Sequence, residues 1–291
     1  MKIATSAYPL SVLSGWSEYE DKLSSWVSEA ASNGADLLVF PEYGAMELAT
    51  LSGPEVAGDL ELSLYAVSDR LPEADALHAR LAKEHGVHIL AGSGPAATDS
   101  RPVNRARFFA PSGAMGVQDK QIMTMFERDD WDVTGGGPLR TFETALGRVG
   151  VLICYDSEFP LLGRALVDCD LILVPSCTEA EAGYWRVRIG AMARALELQC
   201  VTVMSSVVGD ADWSEALGTS VGAGGVFGPP DTGFPSNGVL AAGRLNQPGW
   251  TYAEVALSAV SQVRRSGVVR NRTHWDEQSG RDGAPDVVTL R

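Results

Sequence analysis

The sequence predicts an α/β protein in which two β-sheets pack against each other and helices lie outside them. Short apolar runs rich in β-branched residues recur along the chain, and only some of them are separated by segments of helical periodicity. These runs are more numerous than a single open sheet of the usual width holds. With 291 residues, of which 45% are hydrophobic, the chain is long and apolar enough to bury such a core.

Helices are expected where apolar residues repeat at helical spacing. After Gly15, the residues Leu23, Val27 and Ala30 share one face, and Asn33-Gly34 is a typical helix end. The first helix therefore runs from about residue 16 to residue 33. Further helices are expected at 60–84, with a break at Pro72, at 161–167 and at 184–199.

Strands are expected where short apolar runs end at turn-forming residues. The sequence Ala110-Pro111-Ser112-Gly113 is a favourable turn and predicts a hairpin between its flanking runs. The predicted strands are 2–8, 36–40, 87–91, 103–110, 115–118, 149–153, 170–175, 200–206, 220–227, 238–243 and 251–257.

The charge of the chain restricts its partners. A formal net charge of −14 argues against binding to nucleic acid or to an anionic membrane surface. No apolar run approaches the length that spans a bilayer, and the first residues are strand-like and do not form a long apolar leader. We therefore expect a cytoplasmic protein with a small-molecule partner.

The sequence suggests neither a metal nor an organic cofactor. The histidines His78, His85 and His88 cluster at one helix-to-strand boundary, where we expect solvent-exposed imidazoles and no metal site. No C-x-x-C spacing is present, so neither a zinc site nor a disulfide framework is indicated. The four cysteines are Cys154, Cys169, Cys177 and Cys200.

Cys154 follows a buried strand directly. The apolar run 149–153 precedes it, and Phe159-Pro160 follows, an order that suits a strand, a sharp turn and the start of a helix. A thiol beside the N–H groups of a helix start is favoured as thiolate. Alternatively, Cys154 is a small buried thiol that packs like an alanine.

Two charged residues also lie at predicted strand ends. Glu42 follows the strand 36–40 and Pro41, and Lys120 follows the second strand of the hairpin. A buried ammonium must be paired, because burial of an unpaired charge is costly. Taken singly, Glu42 could be a solvated strand end or a helix cap, and Lys120 could be a surface residue with a buried stem.

Taken together and in this order, the three positions resemble the motifs of the nitrilase, or carbon–nitrogen hydrolase, superfamily in its amidase-like branch. The segment Phe40-Pro41-Glu42 is similar to its glutamate motif, and Asp119–Ile122 is similar to its lysine motif. Ile153–Asp156, with Phe159-Pro160, is similar to its nucleophile motif. The resemblance covers residues 2–257.

The resemblance implies a single-domain, four-layer α-β-β-α sandwich over residues 1–257. We expect residues 258–291 to be a C-terminal tail that packs at a subunit interface or frays. The resemblance also implies a homodimer or higher homo-oligomer, formed by pairing helical faces.

The resemblance implies that Cys154 is the nucleophile, Glu42 the general base and Lys120 the stabiliser of the oxyanion. Glu127 falls where the family has a second, supporting glutamate. The expected reaction is hydrolysis of the C–N bond of a small carboxamide through a Cys154 thioester. The alternatives are hydrolysis of a nitrile or a carbamoyl amine by the same triad, and a non-catalytic protein on the same fold.

Substrate-binding residues are less clearly marked. We expect the backbone N–H of Tyr155 to donate to the oxyanion, and Cys177 and Thr178 to face the thiol. Many amidases have arginine where this chain has Glu158, and Arg164 is a candidate for that lost function. Aromatic residues in the loops above the strand ends suggest a partly apolar pocket, namely Tyr43, Trp131, Tyr184 and Trp185.

Overall fold

The computed structural model describes residues 1–281 and 283–290. Within them the strands are β1 (Lys2–Pro9), β2 (Leu37–Val39), β3 (His88–Leu90), β4 (Gly94–Ala96), β5 (Val103–Phe109), β6 (Met115–Asp119), β7 (Thr141–Thr144), β8 (Gly147–Val151), β9 (Leu171–Ser176), β10 (Val201–Ala211), β11 (Gly218–Ser220), β12 (Gly225–Phe227), β13 (Val239–Ala242) and β14 (Gly249–Glu254). The helices are α1 (Trp16–Ser32), α2 (Pro54–Gly58), α3 (Leu60–His85), α4 (Met125–Asp129), α5 (Pro160–Ala165), α6 (Glu181–Leu198), α7 (Leu257–Ser266) and α8 (Asn271–His274). Three 3₁₀ segments are Gly44–Ser52, Cys154–Glu158 and Trp275–Gln278.

The strands form two half-sheets that share one short junction. One half contains β14, β1, β2, β3 and β5, and the other contains β7, β8, β9, β10, β12 and β13. They meet where Ala7–Pro9 of β1 pair in parallel with Ser206–Val208 of β10. The earlier residues of β1 pair with β14 instead, and the earlier residues of β10 pair with β12. The two half-sheets therefore diverge on either side of this junction.

Side chains that alternate along β1 enter two different cores. Ile3 is buried between the half-sheets together with Leu37 of β2 and Leu171 of β9. Ala4 and Tyr8 are buried on the opposite face, beneath α1 and α3. The helix α6 covers the outer face of the second half-sheet and contacts β10. This order of layers confirms the predicted α-β-β-α sandwich.

The predicted break in α3 is wrong. The helix continues through Pro72, although proline in a helix interior removes one hydrogen bond and costs about 3 kcal/mol. Burial of one apolar face, which includes Leu64, Val67 and Leu71, offsets this cost. The Asp59 carboxylate caps the start of the helix by accepting a hydrogen bond from the Leu62 N–H.

The expected exposure of the histidines is correct only for His85. His78 is buried, stacks on Phe109 at 5.5 Å, and forms a hydrogen bond of 2.8 Å between its Nδ1 and the Ala74 carbonyl. Burial lowers the pKa of His78 to about 4. His88 is also buried. The ring of His78 therefore belongs to the core under α3.

A helix begins at the boundary where we expected the C-terminal tail to start. The helix α7 begins at Leu257 and buries Val260 and Val263 in the chain's own core. Arg264 fixes the helix by donating to Asp170 Oδ1 at 2.8 Å and to the Gln199 carbonyl at 2.9 Å. The folded unit thus includes α7, whose amphipathic pattern is hidden in a polar, arginine-bearing segment. An interface role for the remaining tail stays a prediction. None of the helices in the described part of the chain has the length and apolar character to cross a membrane.

Candidate active site

Cys154 occupies a strained turn at the end of a strand. The Leu152 N–H donates to the Leu173 carbonyl at 2.9 Å, so the pairing of β8 with β9 continues almost to the cysteine. Cys154 then adopts a left-handed conformation with φ of 49°, which costs a non-glycine residue about 1–3 kcal/mol. The 3₁₀ segment starts at the same residue. This geometry turns the thiol out of the strand and into a cleft.

Asp156 holds the cysteine turn against the segment after Lys120. Its carboxylate accepts hydrogen bonds from the N–H groups of Ile122 at 2.9 Å, Gln121 at 3.1 Å and Ile153 at 3.3 Å. Burial raises the pKa of Asp156 to about 6. The sequence analysis did not assign this role, although a carboxylate inside a buried turn is a usable signal because it requires donors.

Lys120 joins two buried carboxylates. Its Nζ donates to Glu42 Oε1 at 2.8 Å and to Glu127 Oε2 at 2.6 Å. The three residues are between 1% and 3% exposed, so Glu42 is not a solvated strand end and Lys120 is not a surface residue. Burial disfavours the ammonium, but Glu42 and Glu127 outweigh this effect and raise the pKa of Lys120 above its ordinary value.

Glu42 is fixed by two further donors. Asn104 Nδ2 donates to Oε1 at 3.0 Å, and the Cys177 N–H donates to Oε2 at 3.0 Å. Ser93 orients the Asn104 amide by donating to its Oδ1 at 2.7 Å. Burial raises the pKa of Glu42 to about 7, against the opposing charge of Lys120. Glu42 therefore exchanges a proton near neutrality.

Glu127 has the opposite electrostatic balance. Burial acts against its charge, but Lys120 and the hydrogen bond from Tyr43 lower the pKa of Glu127 below its ordinary value. The Tyr43 hydroxyl donates to Oε1 at 2.6 Å, and the Thr124 N–H donates to Oε2 at 2.9 Å. Two carboxylates on one ammonium are thereby given different proton affinities, a pattern typical of acid–base sites.

The surroundings of Cys154 disfavour the thiolate form, contrary to the expectation from its position at the start of a helical turn. Burial and the charge of Glu42 raise the pKa of Cys154 well above its ordinary value, and Lys120 only partly opposes them. The Sγ atom lies 3.8 Å from the Cys177 carbonyl, and Glu42 is close enough to perturb the pKa of the thiol. The thiol therefore needs a base, and Glu42 is within reach.

The predicted substrate-binding residues Tyr155, Cys177 and Thr178 all line the cleft. The backbone of Cys177 contacts Glu42 and the Cys154 thiol, whereas its own thiol lies 3.7 Å from Ser220 Oγ. The Thr178 hydroxyl donates to the Val221 carbonyl at 2.8 Å and is thereby turned to the neighbouring loop. The Tyr155 ring packs edge-to-face on another aromatic ring, and its N–H is at the start of the 3₁₀ turn.

The cleft above the thiol has a volume of about 410 Å³. Tyr43 and Trp131 line it as predicted, and their rings pack at 4.9 Å. Tyr184 and Trp185 do not belong to its lining: the first is buried, and the second lies on the exposed side of α6. Ala216 and Leu217 line it from a loop that the sequence analysis did not single out.

The suggestion that Arg164 replaces the arginine missing at position 158 is wrong. The Arg164 guanidinium stacks on Trp275 at 4.5 Å and lies 3.5 Å from the Asp276 carboxylate, and Arg164 is not among the residues that line the cleft. Arg186 of α6 does line the cleft, with Nε 3.5 Å from Glu158 Oε1. This cleft arginine comes from a helix distant in sequence, so local spacing gave no signal for it.

Two proteins are similar to this chain in sequence over most of its length or about two thirds of it. Probable hydrolase YhcX of Bacillus subtilis (strain 168) is 29% identical over 272 residues, which are 93% of this chain and 52% of that protein. The chain thus spans about half the length of that relative. Omega-amidase NIT2-B of Xenopus laevis is 27% identical over 199 residues, which are 63% of this chain and 67% of that protein.

Solved structures with the same fold include Nit3 of Saccharomyces cerevisiae, a member of branch 10 of the nitrilase superfamily. It superposes with a TM-score of 0.70 at 19% identity and covers 91% of this chain and 93% of its own. An amidase from Nesterenkonia sp. AN1 superposes with a TM-score of 0.68 at 20% identity, covering 91% and 97%. Residues 13–265 match the carbon-nitrogen hydrolase family. Because this match extends over most of the chain, the protein belongs to the carbon–nitrogen hydrolase family.

Proposed function

We propose that this enzyme hydrolyses the C–N bond of a small carboxamide through a thioester on Cys154. The observation that carries the proposal is the buried network of Glu42, Lys120 and Glu127 beside a thiol at the wall of an open cleft. The name of the Xenopus relative, an omega-amidase, supports amides as the substrate class.

In the first step the thiol attacks the amide carbon while Glu42 accepts the Sγ proton. An amide carbon is a poor electrophile, so the sulfur must lose its proton as the C–S bond forms. Glu42 is suited to this exchange because its pKa of about 7 lies near a neutral working pH.

The carbonyl oxygen becomes negative in the tetrahedral intermediate. The Lys120 ammonium and the Tyr155 N–H are the proposed donors to this oxyanion, and one such donor typically contributes about 10² to 10³ in rate. Glu42 then returns its proton to the nitrogen. The C–N bond breaks, ammonia or an amine leaves, and the acyl group stays on the sulfur.

Water completes the reaction. Glu42 takes a proton from a water molecule, whose oxygen attacks the thioester carbon. As the C–S bond breaks, Glu42 returns this proton to the sulfur, so the carboxylic acid leaves and both the thiol and the Glu42 carboxylate are restored. Glu127 acts as a positioning residue, because it holds the Lys120 ammonium at 2.6 Å and because Lys120 lowers the pKa of its carboxyl group.

This mechanism predicts a specific pH dependence. The enzyme is expected to release ammonia from small amides, with kcat/KM rising about tenfold per pH unit below pH 7 and levelling above it, because Glu42 must be deprotonated to act as base. A stopped ammonia assay over a panel of amides, nitriles and carbamoyl amines measures both substrate class and profile.

The matched variant is Glu42→Gln, which keeps the side-chain size and removes the base. It should lower kcat/KM about 10³-fold and lose the rise below pH 7. A wild-type rise centred near pH 9 or above would contradict the proposal, since it would report ionisation of the thiol itself. Release of ammonia from the nitriles alone would exclude the amidase assignment.

We further propose that the enzyme is a homodimer formed through α6. Trp185, Ile189 and Leu196 are 45%, 64% and 41% exposed and share one side of this helix, and Leu161 of α5 is 79% exposed. Several large apolar side chains exposed on one side of a helix are typical of an interface. Light scattering after size exclusion should give the mass of a dimer, and Ile189→Glu should give a monomer.

The control is Val12→Glu, an exposed apolar position in the loop before α1, which should remain dimeric. A monomeric wild type at micromolar concentration would contradict this proposal.

A further inference from the structure

Glu158 has fewer hydrogen-bond partners than the two fully buried carboxylates of the cleft, Glu42 and Glu127. Glu42 and Glu127 each accept hydrogen bonds from at least three groups. Glu158 accepts none within the described residues, although its side chain is only 22% exposed and it lines the same cleft. Its nearest cation is Arg186, whose Nε lies 3.5 Å from Oε1.

Arg186 is a weak partner for this carboxylate. Its side chain is 63% exposed, so the pair is largely solvated on the arginine side. Ion pairs with an exposed partner stabilise a protein little, because water screens their attraction and holding the side chains in place costs entropy. A ligand cation that enters the cleft can therefore replace Arg186 at Glu158 with little loss of free energy.

The charges around the cleft favour a cation as well. Its lining includes four carboxylates but only two cations, and Lys120 is already bonded to two of the carboxylates. Like-signed charges in a cleft with low-dielectric walls concentrate ligands of the opposite sign. The acidic residues of the lining are Glu42, Glu127, Glu158 and Glu179, and the basic ones are Lys120 and Arg186.

We propose that Glu158 selects amides that carry a cationic group, an ammonium or guanidinium, at the end remote from the bond that is cut. Glu158 lies four residues after Cys154 in one 3₁₀ segment, and a rise of about 2 Å per residue separates their Cα atoms by roughly 8 Å. A linker of about four methylene groups between the amide carbon and the cation has a length of the same order as this Cα separation. The identity of the cleaved bond rests on the proposed function, whereas the charge preference is a property of the cleft.

The test compares three amides of similar length. 5-Aminopentanamide is the cation, hexanamide its neutral isostere, and the monoamide of glutaric acid the anion. For the wild type we expect kcat/KM to decrease in that order, with a ratio of about tenfold between cation and neutral amide, as one charge-assisted hydrogen bond provides. Glu158→Gln should bring this ratio to about one, and raising the salt concentration should reduce it in the wild type.

The matched control is Glu73→Gln, the same charge change at an exposed position of α3, which should keep the wild-type ratio. Equal loss for all three amides in Glu158→Gln would assign Glu158 a structural role and overturn the proposal. A wild-type preference for the anion that disappears in Arg186→Gln would also overturn it.

A binding measurement tests the charge preference independently of the proposed reaction. Calorimetry with Cys154→Ala should give dissociation constants in the same charge order, with the cation bound about tenfold more tightly than hexanamide. Should the wild type hydrolyse none of the three amides, the proposed reaction fails, but the charge order of binding still decides for or against the role of Glu158.

Discussion

Replacing Cys154 with alanine is expected to lower kcat/KM for a small amide by at least about 10⁴-fold, the largest effect that we expect for any side chain. Removal of a covalent nucleophile leaves only binding and oxyanion stabilisation, as in other enzymes with an activated nucleophile. The fold should persist, because alanine fills most of the small volume that this thiol occupies. A thermal unfolding curve near that of the wild type checks this point.

Intact-mass spectrometry measures the same prediction without a turnover assay. After mixing with a hydrolysed amide, the wild type should gain the mass of its acyl group, and Cys154→Ala should gain nothing. Cys177→Ala is the matched control, since Cys177 contacts the reacting groups through its backbone and keeps those contacts as alanine. An acyl adduct on Cys154→Ala, or turnover that survives the substitution, would show that another residue is the nucleophile.

Lys120→Met is expected to reduce both activity and stability. Two carboxylates would stay buried without their cation, and removal of one partner from a buried ion pair costs about 3–5 kcal/mol. Loss of the proposed oxyanion donor should lower kcat/KM about 10³-fold. Urea unfolding and the ammonia assay measure the two effects separately.

Two further variants separate stability from catalysis. Lys120→Met combined with Glu127→Gln removes one uncompensated charge, so it should regain part of the lost stability but none of the activity. Lys22→Met breaks the Lys22–Glu47 pair, whose glutamate is fully buried but which lies outside the cleft. It should lower stability while leaving kcat unchanged. If Lys120→Met keeps its kcat, Lys120 does not stabilise the oxyanion.

The layered fold follows from local patterns in the sequence. The strands around Ile3, Leu37 and Leu171 are short, apolar and bounded by turn residues, which is sufficient to predict buried strands. The break expected at Pro72 was wrong because local propensity is overridden when one helix face is fully buried. The helix α7 was missed for a related reason: its two buried valines are surrounded by polar residues that obscure the period.

The proposed catalytic positions could be found in the sequence because each follows a recognisable strand. Glu42, Lys120 and Cys154 stand at strand ends, where polar groups converge in such folds, and their order matches one family. The proton affinities of these side chains could not be predicted from the sequence. The proton affinities of Glu42, Glu127 and Cys154 depend on burial and on the ammonium between the two carboxylates, and these arise only when distant segments pack.

The contacts of Asp156 and the pairing of Arg186 with Glu158 could be identified only in the three-dimensional structure. Asp156 anchors the lysine segment by accepting three backbone N–H groups, and Arg186 reaches Glu158 from a helix far along the chain. Hydrogen bonds to backbone groups leave no periodic signal, and an ion pair between separate elements depends on how those elements pack. The sequence was thus sufficient to predict the layers and the three side chains that we propose to react, whereas their proton affinities and the charge of the cleft depend on tertiary contacts.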